Sequence, residues 1–228
     1  MPAPVVSDAR AGSRAALDEV ALLCAVPAER RALARLERPG VSLRSSGMGA
    51  DAADRAARAV LAEAPRAVVA AGFCGALDPS LRVGDLVAAE VVADEDGARF
   101  VADGDLLAAA PGRRGMLVSA RRLARTPADR ARLEGLAVDL ESAAIARRCA
   151  EAGVPFLALR AVTDEAGHTL PDFDRLMDAA GNLTPGLGLV HFLRHPRQLA
   201  GLVRIGRGAK RASATLADGV GELLERIG

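Results

Sequence analysis

Three short, strongly apolar runs constrain this chain more than any other feature: residues 20–26 (VALLCAV), 67–71 (AVVAA) and 156–162 (FLALRAV). Runs of this length without polar alternation belong to central strands covered on both faces. Helix signals follow them. Pro27 opens a helix with Glu29 in its first turn. A weaker strand at 41–46 turns through Gly47-Met48-Gly49 into an Ala-rich helix at about 50–63. The run at 67–71 gives way to Gly72-Phe73-Cys74-Gly75, and Leu77-Asp78-Pro79 is turn chemistry. Further strands are expected within 83–93, 116–120 and 136–140, the last two separated by an Arg-rich stretch. A helix over Ser142–Ala152 stops at Gly153, with Pro155 just beyond. The remainder is expected to be helical, broken at Pro171, Pro185 and Pro196. Strands alternating with helices predict a three-layer α/β/α sandwich around a mixed, mostly parallel twisted sheet. Residues 19–228 form one domain on this reading, and residues 1–18, small and polar without a period, form a loose tail.

Composition excludes several roles. Trp and Tyr are absent and there are five Phe, too few for a base-stacking nucleic-acid platform. A formal net charge of +1 gives no broad phosphate-binding field. Cys24, Cys74 and Cys149 sit in apolar contexts at unrelated spacings, the pattern of buried reduced thiols and not of metal ligands. His168, His191 and His195 show no ligand spacing either, so neither a metal nor a cofactor is expected. Asp8, Arg10 and Arg14 stand where a signal peptide would need its apolar region, and no run is long enough to span a membrane. A cytoplasmic location is the expectation.

In open α/β sheets, ligands bind beyond the carboxyl ends of the strands. Three acids fall there: Glu29, Glu141 and Asp164. Each alone could be a first-turn acid or a cap. Together they predict one acidic rim, which suits cleavage of an N-glycosidic bond. The transition state at a nucleoside C1′ is oxocarbenium-like. One carboxylate can orient water, another can hold sugar hydroxyls, and a protonated carboxyl can bond the leaving base. Gly47-Met48-Gly49-Ala50-Asp51-Ala52 offers a rival reading as a loose dinucleotide fingerprint and hence an oxidoreductase. That site also wants an acid closing the next strand, which here ends AAGF.

With these residues in view, the chain resembles the purine/uridine phosphorylase superfamily, and within it the methylthioadenosine/S-adenosylhomocysteine nucleosidases. The likeness is carried by AVPAE (25–29), SGMGADAA (46–53), AAGFCGALDPSLRVGDLV (70–87), VDLESAAIA (138–146) and FLALRAVTDEA (156–166). The resemblance implies that Glu29 activates the attacking water, Glu141 binds the ribose 2′ and 3′ hydroxyls, and Asp164 serves purine N7. Thr163 stands where the family often has Ser. Gly49, Gly72, Phe73 and Leu140 fall in the segments that line the substrate. Leu123 and Ala124 stand roughly where the nucleosidases line the base, without the family's aromatic.

Hydrolysis is favoured over phosphorolysis by what is missing. Ala70 and Phe73 occupy positions where phosphorylases of the superfamily carry phosphate-binding Arg and Ser or Thr, and Glu29 lies near the first-loop Arg. A carboxylate against phosphate costs about 1–4 kcal/mol at contact. The C-terminal third, from TPADRARLEGLAVDLES through FLRHPRQLAGLVRIGRGAKRASATL, resembles the hopanoid-associated branch, which implies adenosylhopane as a substrate. The basic amphipathic stretch 191–211, with Arg194, Arg197, Arg204, Arg207, Lys210 and Arg211, could rest on an anionic membrane surface. Relatives are commonly homo-oligomers. The expected partner is a small nucleoside and not a nucleic acid.

Overall fold

The computed structural model describes residues 19–170 and 196–228. The expected tail, the breaks at Pro171 and Pro185, and the charged-face reading of residues 191–205 lie outside the described residues. Eight strands are present among the described residues: β1 (Val20–Cys24), β2 (Val41–Ser45), β3 (Ala67–Ala76), β4 (Leu86–Asp94), β5 (Arg99–Val101), β6 (Arg113–Ser119), β7 (Ala137–Asp139) and β8 (Phe156–Asp164). The described α-helices are α1 (Pro27–Leu33), α2 (Ala50–Leu61), α3 (Gly104–Ala109), α4 (Pro127–Arg130), α5 (Ser142–Ala152) and α6 (Pro196–Ile227).

The sheet is mixed and mostly parallel, as expected. β1 pairs in parallel with β2 and β3, β3 with β8, and β6 with β4 and β7. The β3–β7, β4–β5 and β4–β8 pairs are antiparallel. The pairings β3–β8–β4–β6–β7–β3 return to their start, so five strands close a ring from which β2, β1 and β5 extend. Strand direction reverses between β3 and β7, where Gly75 pairs with Val138.

Alternation along the strands builds a core on each face. Leu22, Val69, Leu157 and Leu159 pack with Leu33 of α1 and with Leu216, Val220 and Leu223 of α6. Leu23, Val68, Ala70 and Ala158 pack with Ala53 and Ala57 of α2 and with Ile145, Ala146 and Cys149 of α5. Each fully buried Leu or Val contributes about 1.5–3 kcal/mol. The long helix α6 approaches β8 at Gly208, where a Cβ would collide with the main-chain oxygen of Thr163.

Three elements were not expected. β5 spans three residues, α3 is capped by Asp103, and α4 is one turn capped by Thr126. β3 also runs five residues past the expected end at Ala71. Its partner β8 continues to Asp164, which supplies hydrogen bonds that keep the glycine segment extended.

Candidate active site

Glu29, Glu141 and Asp164 line one cleft, together with Met48, Phe73, Leu123, Ala124, Leu140 and Thr163. The cleft opens where β3 meets the oppositely directed β7. Gly49 and Gly72 stand behind this surface, each against one of the acids.

Glu29 is held by the geometry of a helix start. Third in α1, it reaches back so that one carboxylate oxygen accepts from the main-chain N–H of Ala25 at 2.6 Å and Val26 at 2.9 Å. Its other oxygen accepts from Phe73 N–H at 2.7 Å, joining α1 to β3. Burial pushes this carboxyl above the usual range, against the opposing pull of Arg160 and the three amides. Gly72 makes room for the arrangement. A Cβ there would collide with Arg160 Nη1 and lie 2.7 Å from Glu29 Oε1.

Glu141 sits at the N-cap of α5, and its Oε1 accepts from Gly49 N–H at 2.8 Å. Gly49 adopts φ 86°, a left-handed region that glycine enters without strain. The Gly47–Gly49 turn thus spends its free amide on a carboxylate of the same chain and not on a pyrophosphate. Burial, reinforced by the neighbouring Asp139 charge, pushes the Glu141 carboxyl up to about 7.

Asp164 ends β8. Its Oδ1 accepts from the Thr163 hydroxyl at 2.7 Å, and its Oδ2 pairs with Arg130. The Arg130 guanidinium is locked by main-chain oxygens: Nε donates to Ala124 at 3.1 Å and Nη1 to Glu165 at 2.7 Å.

A second buried cation lies beneath the cleft. Arg160 Nη2 is 2.7 Å from Asp139 Oδ2 and 2.7 Å from Ser142 Oγ. Asp139 also accepts from Ser119 Oγ at 2.5 Å, and Ser119 Oγ accepts from Ala143 N–H at 2.8 Å. Four carboxyls, those of Glu29, Asp139, Glu141 and Asp164, therefore share one buried region with two guanidiniums. Burial raises the proton affinity of Glu29 and Glu141, and at Glu141 the nearby charges of Asp139 and Glu29 add to it. The three cysteines are free and buried, and burial pushes each thiol up, which leaves them inert.

Sequence reasoning missed Arg130, Asp139 and Arg160. A signal existed for two of them. Arg160 is a charge inside an apolar run, which only a buried partner tolerates. Thr126 and Asp129 have capping-box spacing just before Arg130.

The model of the phosphorylase superfamily matches residues 18–129 and 113–193. A 5'-methylthioadenosine/S-adenosylhomocysteine nucleosidase of Staphylococcus saprophyticus is 29% identical, over 48% of this chain and 63% of that one. The chain thus spans less than two thirds of that relative. The crystal structure of the corresponding nucleosidase from Neisseria meningitidis, in complex with methylthio-immucillin-A, superimposes with a TM-score of 0.72 at 24% identity, covering 92% of this chain and 99% of that one. Futalosine hydrolase of Helicobacter pylori superimposes with a TM-score of 0.70 at 15% identity, covering 92% and 98%. The matched segments contain Glu29, Glu141 and Asp164, and the chain belongs to the phosphorylase superfamily.

Proposed function

We propose that the protein is a nucleosidase that releases a purine, adenine in the first instance, from a 5′-substituted nucleoside by attack of water. One observation carries the choice of nucleophile. Glu29 Oε1 takes the Phe73 main-chain N–H at 2.7 Å, so this carboxylate fills the ground where a phosphate would need amide donors. Phosphate there would meet a buried acid, whereas a water would meet a base whose raised proton affinity suits it to accept a proton.

In the proposed mechanism, Glu141 accepts hydrogen bonds from the ribose hydroxyls. Asp164 gives a proton to purine N7 as the C1′–N9 bond breaks, and the bonding pair enters the base. Glu29 takes a proton from water as its oxygen bonds to C1′. The apolar wall of Phe73, Leu123 and Leu140 receives the base. The likeness to nucleosidases supports adenine. The C-terminal resemblance supports a bulky hydrocarbon at the 5′ position, as in adenosylhopane. A cytoplasmic homo-oligomer touching membrane through residues 191–211 is part of the same proposal.

The test is product analysis on methylthioadenosine and larger 5′-substituted adenosines, with and without phosphate. Free ribose product and adenine are expected in both conditions. Ribose 1-phosphate, or release that requires phosphate, would replace this reading with phosphorolysis. Asp164→Asn is expected to lower turnover about 10²–10⁴-fold.

A further inference from the structure

We propose that Arg130 is a positioning residue of the reaction: it fixes Asp164 so that only Oδ1 is offered to the leaving purine, and it stabilises the carboxylate that remains when the proton has gone. The proposal rests on the reading of Asp164 as the acid that serves the base.

Arg130 is built as a fixed charge. Its side chain is 3% exposed. Three of its nitrogens are engaged: Nε by the Ala124 oxygen, Nη1 by the Glu165 oxygen, and Nη2 by Asp164 Oδ2. Those two main-chain oxygens flank the cleft from different segments, so the guanidinium cannot swing without breaking both. The helix that carries Arg130 is itself pinned. Thr126 Oγ1 accepts from Asp129 N–H at 3.1 Å, and Asp129 Oδ2 accepts from Thr126 N–H at 2.9 Å. Gly75 keeps space for the pair, because a Cβ there would lie 3.1 Å from Asp164 Oδ2 and 3.6 Å from Arg130 Nη2.

The division of the carboxyl follows. Oδ2 is bound to a cation with all its freedom removed. Among the described residues, Oδ1 is met only by the Thr163 hydroxyl at 2.7 Å. The proton that reaches N7 therefore leaves from Oδ1. As it leaves, negative charge grows on Asp164 beside a guanidinium already in place. A fixed charge facing a charge that develops in the transition state lowers the barrier more than it aids ground-state binding. The other charged or titratable groups lining the cleft are Glu29, Cys74, Asp139 and Glu141. None of them is a cation, so among the described residues lining the cleft Arg130 is the side chain that can compensate that charge.

The test compares two leaving groups. An adenine nucleoside needs a proton to depart, while p-nitrophenyl β-D-ribofuranoside releases a stable phenolate without one. For Arg130→Gln, adenine release is expected to fall about 10²-fold, the scale of a misplaced catalytic group. Phenolate release is expected to stay within a few-fold of wild type, and Arg130→Lys to recover part of the difference. The ratio of the two rates cancels any change in the amount of folded enzyme. Thr126→Ala gives the same ratio test if Arg130→Gln does not fold. Guanidinium ion added to Arg130→Ala is expected to restore adenine release, and this decides the matter if wild type leaves the phenyl riboside intact. Equal losses on both substrates, or no rescue by guanidinium or Lys, overturn the assignment. If Asp164→Asn loses adenine release while Arg130→Gln keeps it, only the role of Arg130 falls. If Asp164→Asn itself keeps full turnover, the underlying reading falls.

Discussion

Arg160 Nη2 and Asp139 Oδ2 meet at 2.7 Å with side chains only 2% and 1% exposed. The pair joins β8 to the end of β7, directly beneath the cleft. Arg160 also donates to Ser142 Oγ, so one guanidinium ties the last ring strand to the start of α5. Removing it leaves Asp139 buried without its charge partner. Breaking such a pair from one side costs about 3–5 kcal/mol. Arg160→Met is expected to lose that much in guanidinium chloride denaturation, whereas Asp139→Asn combined with Arg160→Met is expected to recover part of it. A single variant as stable as wild type would contradict this account.

Gly72 cannot accept a side chain without displacing two buried groups of the site. The Ala methyl would press on Arg160 and Glu29 together. Gly72→Ala is expected to destabilise the fold by about 1–3 kcal/mol, the usual range for overpacking. Turnover is expected to suffer more than stability, since the displaced groups include Glu29. Thermal melts and steady-state kinetics on the same preparation check both parts.

Glu141 sets a pH dependence whose sign is fixed. Its carboxyl is raised from 4.5 to about 7 in the fold, chiefly by burial. A raised acid favours folding while protonated, so this contribution is present below 4.5 and lost as pH rises through 7. Stability is expected to decline across that window, and Glu141→Gln to flatten the slope. In kinetics the ionised form is the better acceptor for ribose hydroxyls. KM is therefore expected to rise as pH falls below 7 in wild type, and to change less in Glu141→Gln. Denaturation midpoints and KM measured from pH 4.5 to 8 provide the check.

Gly208 brings the last helix against the site from behind. A methyl there would strike the Thr163 main-chain oxygen, and main chain cannot step aside as a side chain can. Gly208→Ala is expected to cost about 1–3 kcal/mol and to lower turnover by displacing Thr163 and Asp164. Unchanged kinetics in a folded variant would show that the helix and the end of β8 are not coupled.

The strands most legible in the sequence were those covered on both faces. β1 and β8 lie wholly inside, so their apolar residues run together. β5 has three residues, too few for any period, and α4 is a single turn. The glycine segment at 72–75 looked like a break because glycine weakens a strand. It is strand nonetheless, since close approach of Arg160, Glu29 and Asp164 requires residues without side chains. Closure of the ring was not legible, because it depends on pairing between β4 and β8, far apart in the chain. At the site, the three acids were legible from their place just past strand ends. Arg130 was not. Its partners are main-chain oxygens at Ala124 and Glu165 and a carboxylate at Asp164, none of which leaves a mark on local sequence.

A ring of strands has a dynamic consequence. β3 and β8 possess no outer edge at which fraying could begin, so their amides can exchange with solvent only when neighbouring strands separate as well. Hydrogen exchange along these two strands would then report opening of the whole domain, while β2 and β5, at the margins, would exchange earlier. The platform beneath the cleft is stiff on this view, and whatever adjustment a bulky ligand demands falls to segments outside the ring.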